Sequence, residues 1–105
     1  ELEAHLLSHP YVADAAVISI PHESSGEAPK AYIVKSKNIV SGEKDDEIIQ
    51  SILDDVKAHK TKYKWIREVE FIDIIPKSPS GKILRRMLRD ADRSRRKLER
   101  VQARL

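Results

Sequence analysis

The chain has 105 residues, 40% hydrophobic and 35% charged, with a net charge of +3 and no cysteine. That length suits one domain of ordinary size, the missing thiols exclude a disulfide scaffold and thiolate catalysis, and no apolar run is long enough to span a bilayer. The charge is uneven: residues 89–104 carry seven Lys or Arg against three acids, a surplus of +4, which leaves the rest of the chain at −1. Basicity confined to a tail argues against a nucleic-acid-binding face on the body.

In chain order, Glu1 to Ser8 reads as the end of a helix, stopped by His9-Pro10 because the residue before a proline avoids the helical region. Val12 to Ile20 is rich in Ala, Val and Ile and reads as a strand closed by Pro21. Residues 22–29 read as a loop, and Lys30 to Lys35 as a second strand joined to the first as a long-looped hairpin. Residues 36–44 are the expected flexible loop. From Asp45 to His59, Ile48, Ile49, Ile52, Leu53 and Val56 recur at helical spacing, with acids in the first turn and Lys57 and His59 near the last. Glu68 to Ile75 alternates, Val69 and Phe71 facing one way and Glu70, Ile72 and Ile74 the other, until Pro76 ends it. A final helix is expected from Ile83. Along it Met87, Ala91, Ser94, Leu98, Val101 and Leu105 draw a thin apolar stripe that calls for packing on neighbours or frays. The order helix, strand, strand, helix, strand, helix predicts an α+β fold. Its parts are a small mixed sheet of about three strands covered by helices on one face and a long C-terminal helix.

The most informative segment is Ile75-Pro76-Lys77-Ser78-Pro79-Ser80-Gly81-Lys82-Ile83-Leu84-Arg85-Arg86. Two prolines stiffen its backbone, Gly81 permits a positive φ, and Ser80 is placed to cap the helix that follows. Lys82 then stands in the first turn of that helix, where its charge is mildly unfavourable against the helix dipole and is better met by an external anion. A pre-positioned ammonium suits phosphate or carboxylate charge that grows in a transition state. A phosphate-binding P-loop is excluded, since the first glycine of its motif is missing and Ile83 stands where a magnesium-binding hydroxyl is needed.

Together with three further segments, that stretch resembles the C-terminal domain of the adenylate-forming enzymes: acyl-CoA synthetases, coumarate CoA ligases, luciferases and peptide-synthetase adenylation domains. The further segments are Glu1-Leu2-Glu3 with Leu7 to Val17, Gly26 to Val34, and Lys64 to Asp73, so the likeness covers residues 1 to about 90. Where the family often has Pro-Asp after the first strand, this chain has Pro21-His22. The resemblance implies a lid domain over residues 1–90, a basic helical extension over 91–105, and a large preceding domain that holds the nucleotide and acyl pockets. It identifies Lys82 as the catalytic and nucleotide-contacting lysine of adenylation. It also implies ATP, Mg²⁺ and coenzyme A as cofactors of the whole enzyme, with Mg²⁺ held outside this domain and a carboxylic acid as substrate. On this view the chain alone is inactive and is one part of an acid–thiol ligase.

Other readings are weaker. His5 and His9 stand at i, i+4 spacing, but Pro10 interrupts the helix and no third ligand is evident in the sequence. His22, Ser24, Ser25 and Asp14 include the residue types of a hydrolase triad without a nucleophile elbow. Tyr63, Lys64 and Trp65 read as a patch in which Trp65 belongs to the core, and Arg85 and Arg86 read equally as solvated or as phosphate clamps. A non-catalytic module with a basic binding tail is the alternative of another class, disfavoured because the tail lacks interleaved aromatic residues. Within the class, a peptide-synthetase or luciferase-like lid is the alternative. Ala103-Arg104-Leu105 has the small-basic-Leu form of a peroxisomal address, which places the protein in the peroxisome if Leu105 is the native C-terminus and in the cytoplasm otherwise.

Overall fold

A computed structural model describes residues 2–22, 26–37, 39, 43–59 and 65–103. The elements are α1 (Leu2–Leu7), β1 (Val12–His22), β2 (Gly26–Lys35), α2 (Asp45–His59), β3 (Glu68–Phe71) and α3 (Arg85–Ala103). They fall into two compact units, Glu1–Ile75 and Pro76–Leu105.

In the first unit β2 is the central strand, antiparallel to β1 and parallel to β3, so the sheet is mixed as expected. Alternation along β2 decides what each face holds. Ala31 and Ile33 join Leu6, Ala15, Ile48, Ile52, Val56 and Ile66 in the core, with Val69 and Phe71 packed against it. Helix α2 supplies Ile48, Ile52 and Val56 at i, i+4, i+8, the stripe its spacing predicts. Its N-terminus holds Asp45, Asp46 and Glu47 against the positive helix end. Glu47 reaches back to accept the Lys44 N–H at 3.2 Å, a one-sided capping box. Burying the Ile52 side chain contributes about 1.5–3 kcal/mol.

Strand limits differ from the sequence reading for reasons that lie in the prolines. β1 runs on through Pro21 to His22, because β1 is an edge strand and an edge tolerates a residue without an N–H. β2 starts at Gly26, not Lys30. Pro29 pairs with Ser19 while its carbonyl accepts the Arg67 N–H at 2.9 Å on the opposite side. A strand residue directs its N and its C=O to the same side, so the donor that Pro29 lacks is not taken from the β1 ladder. β3 ends at Phe71, short of Ile75. After the Ile72 N–H reaches the Ile33 carbonyl, β2 has only two residues left to pair.

The other face of β2 carries a residue whose role the sequence did not disclose. Lys30 is fully buried, with Nζ 2.8 Å from Glu70 Oε1 and 4.0 Å from Glu68 Oε1, and 4.7 Å from the Tyr32 ring centre. Register explains the arrangement: Lys30 lies beside Glu68 and Tyr32 beside Glu70, all on one face. Among the loop residues, Tyr11 donates its hydroxyl to Glu43 at 2.7 Å. That bond, with burial and the repulsion of a phenolate by the carboxylate, raises the Tyr11 pKa above 10.0. Trp65 is partly buried against the core as expected, with Lys57 Nζ 5.6 Å from its ring centre. Ser24, Ser25, Tyr63, Lys64, Arg104 and Leu105 lie outside the described residues, as do residues 38 and 40–42 of the expected loop.

In the second unit, α3 buries Leu88 and Asp92, and Asp92 accepts from Arg96 Nε at 2.8 Å one turn on. The expected stripe is not its buried line: Met87, Ala91, Ser94, Leu98 and Val101 are all exposed. The helix starts at Arg85 and not Ile83, because Ile83 is held in an extended pairing with Lys77.

Candidate functional site

Residues 76–84 form a narrow hairpin within the second unit. Lys77 and Ile83 make an antiparallel bridge. The Ser78 N–H donates to the Lys82 carbonyl at 2.8 Å, and the Leu84 N–H to the Pro76 carbonyl at 2.9 Å. At the tip the Gly81 N–H donates to the Ser78 carbonyl at 2.9 Å, closing a β-turn with Pro79 in its second position. Gly81 has φ +86, so the loop Pro79-Ser80-Gly81 follows the hairpin pattern of a turn and then a left-handed residue. A Cβ at Gly81 would meet nothing within 4 Å, which makes the need for glycine conformational, with no close neighbour demanding it.

Ser78 acts where Ser80 was expected to. Its Oγ accepts the Lys82 N–H at 3.2 Å and lies 2.9 Å from the Ser80 Oγ, so both hydroxyls brace the turn and neither caps α3. Lys82 accordingly stands three residues before the helix, on the outgoing arm of the hairpin, and not in the first turn where the helix dipole would act on its charge. Its backbone is bonded through both N–H and C=O, while its side chain is exposed. Among the described residues the Lys82 ammonium has no hydrogen-bond or ion-pair partner. Fixed backbone and free charge are the combination that lets a cation meet an incoming anion at low ordering cost.

Beside the turn lies an open groove of about 750 Å³. Lys82, Arg85, Arg86 and Arg89 supply its charge, Asp90 is its one acid, and Ile83, Leu84 and Met87 form its apolar wall. Such a lining suits an anion with an apolar part. It does not suit Mg²⁺, which binds through several oxygen ligands.

The histidines distribute otherwise than their spacing suggests. His9 Nδ1 accepts the Tyr11 N–H at 3.0 Å and Nε2 lies 3.2 Å from Ser51 Oγ, a structural role. His5 turns instead toward Asp55 and His59 of α2. Asp55 and His59 stand at i, i+4 on α2, and only the packing of α1 on α2 adds His5 to them.

The fold and the turn define a small α+β domain with Lys82 on the outgoing arm of a braced hairpin. Residues 1–82 match the model of the AMP-binding enzyme C-terminal domain, and the chain belongs to that family. It is 49% identical over 90 residues to a 4-coumarate–CoA ligase-like protein of Arabidopsis thaliana, covering 86% of this chain and 16% of that one. With a 4-coumarate–CoA ligase of Glycine max it shares 52% over 89 residues, 85% of this chain and 29% of that one. Among solved structures, the acyl-CoA synthetase of Brucella canis superposes with a TM-score of 0.80 at 32% identity, over 90% of this chain and 17% of that one. The chain thus spans about a sixth to under a third of the length of these relatives.

Proposed function

We propose that this chain is the mobile C-terminal domain of an ATP-dependent acyl-CoA ligase, with residues 1–90 as the lid and 91–105 as a basic helical extension. It works on pockets supplied by a large N-terminal domain of the same protein. Lys82 serves the first half-reaction. A carboxylate substrate attacks the α-phosphorus of ATP, the bond to the β-phosphate oxygen breaks, and pyrophosphate leaves an acyl adenylate. Negative charge gathers on the attacking and phosphoryl oxygens, and the Lys82 ammonium lowers its energy. Mg²⁺ is held by the large domain. In the second half-reaction the domain rotates, Lys82 withdraws, and the coenzyme A thiol attacks the acyl carbon to release AMP.

The observation that carries this reading is the exposed Lys82 ammonium, unpartnered among the described residues, on a turn whose backbone is bonded on both sides. The likeness to coumarate and acyl-CoA ligases supports coenzyme A as the acceptor. The test separates the two half-reactions in the full enzyme. Lys82→Ala is expected to slow adenylate formation by about a hundredfold or more and to leave thioester formation from a supplied acyl adenylate near wild-type. Equal loss in both halves would refute the role. For location, the Ala103-Arg104-Leu105 ending supports a peroxisomal address if Leu105 is native. Import of a reporter carrying this tail, lost on deletion of Leu105, is the expected result; import unchanged by the deletion, or none with the intact tail, counts against it.

A further inference from the structure

Three side chains from two helices converge on the first unit's surface, and the ligase reading uses none of them. His5 comes from α1, and Asp55 and His59 from the last turns of α2; one donor atom of each lies within 4.8 Å of the others. Asp55 is at the centre: its Oδ2 is 2.9 Å from His5 Nε2 and its Oδ1 is 3.4 Å from His59 Nδ1. The two imidazoles lie 5.3 Å apart, centre to centre.

We propose that His5, Asp55 and His59 form a binding site for a divalent transition metal of the zinc type. Two imidazoles and one carboxylate are a common zinc donor set, with water as the fourth ligand. Ligands 2.0–2.1 Å from a tetrahedral ion stand roughly 3.4 Å from one another, so donors no more than 4.8 Å apart need only a small inward movement. His59 can provide it, since its side chain is 60% exposed and holds one side of the cluster.

Two details favour a metal over a plain ion pair. His5 Nε2 is buried and close to the carboxylate, yet it forms no aligned hydrogen bond among the described residues. In the tautomer protonated at Nδ1, a nitrogen placed that way offers a lone pair to the space beside Asp55. The His59 Nδ1 is 2.8 Å from the Asp55 backbone carbonyl. Donation there fixes the tautomer with the lone pair on Nε2, the outer-shell arrangement usual for metal-bound histidine, and the exposed ring must turn to bring that atom to the carboxylate. An ion at this point would tie α1 to the end of α2.

The test is a Zn²⁺ titration of the full chain by calorimetry, with Mg²⁺ as the contrasting probe. One saturable Zn²⁺ site and no Mg²⁺ binding are expected, because nitrogen ligands disfavour the harder ion. His59→Ala, at an exposed position that the fold does not need, lowers Zn²⁺ affinity by more than about tenfold. Asp55→Asn, which keeps the side chain's shape, does the same. No saturable Zn²⁺ binding by the wild-type chain, or affinity within tenfold of wild type in both variants, overturns the site.

Discussion

Lys30 and Lys82 are the same residue put to opposite uses. Lys30 sits in the middle of the sheet with no exposed surface, its ammonium 2.8 Å from Glu70 and above the Tyr32 ring. Lys82 sits on a hairpin with its ammonium open to solvent and, among the described residues, unshared. A buried charge must be neutralised where it lies, and is then useless to a substrate. An exposed charge on a rigid backbone costs the fold little and stays available. What separates a structural lysine from a candidate catalytic one here is the local supply of carboxylates and water, not the side chain.

Several substitutions would break or sharpen that contrast. The largest stability effect is expected from Glu70→Ala, which strips a carboxylate 2.8 Å from a buried ammonium. A loss of about 2–3 kcal/mol in denaturant unfolding is predicted, below the full range for a broken buried pair because Glu68 remains at 4.0 Å. Gly81→Ala comes next. It forces a φ of +86 on an L-residue and should lower stability by about 1 kcal/mol. Since it also disturbs the Lys82 arm, adenylation should fall while thioester formation from supplied adenylate is kept. The smallest stability effect is that of Lys82→Ala, within about 0.5 kcal/mol of wild type, and a larger change would mean that the ammonium has a structural partner.

Much of this was legible in the sequence. The 3.6-residue period of Ile48, Ile52 and Val56 located α2 to the residue, and the alternation of Val69 and Phe71 correctly put them on the core side of β3. Pro79 and Gly81 announced the turn because their backbone preferences are local. What escaped was set by pairing between distant segments. Pro21 read as the end of its strand and Pro29 fell in an expected loop, and only the sheet order shows that neither position costs the β1–β2 ladder its bonds. The Lys30–Glu70 pair depends on parallel register and His5 joins the i, i+4 pair Asp55–His59 only through helix packing, so neither meeting leaves a spacing signal. The apolar period of α3 picked out a stripe that stays exposed, while the line the helix buries, Leu88 and Asp92, includes a charged residue and so has no apolar period to announce it.

The central claim is that Lys82 stabilises charge in adenylation and does nothing for the fold. ATP–pyrophosphate exchange with the carboxylic acid substrate reads that step alone, in the full enzyme, for wild type and Lys82→Ala. The account predicts exchange reduced by about a hundredfold or more in a protein that unfolds at the same denaturant concentration. Exchange at the wild-type rate in that variant would contradict it.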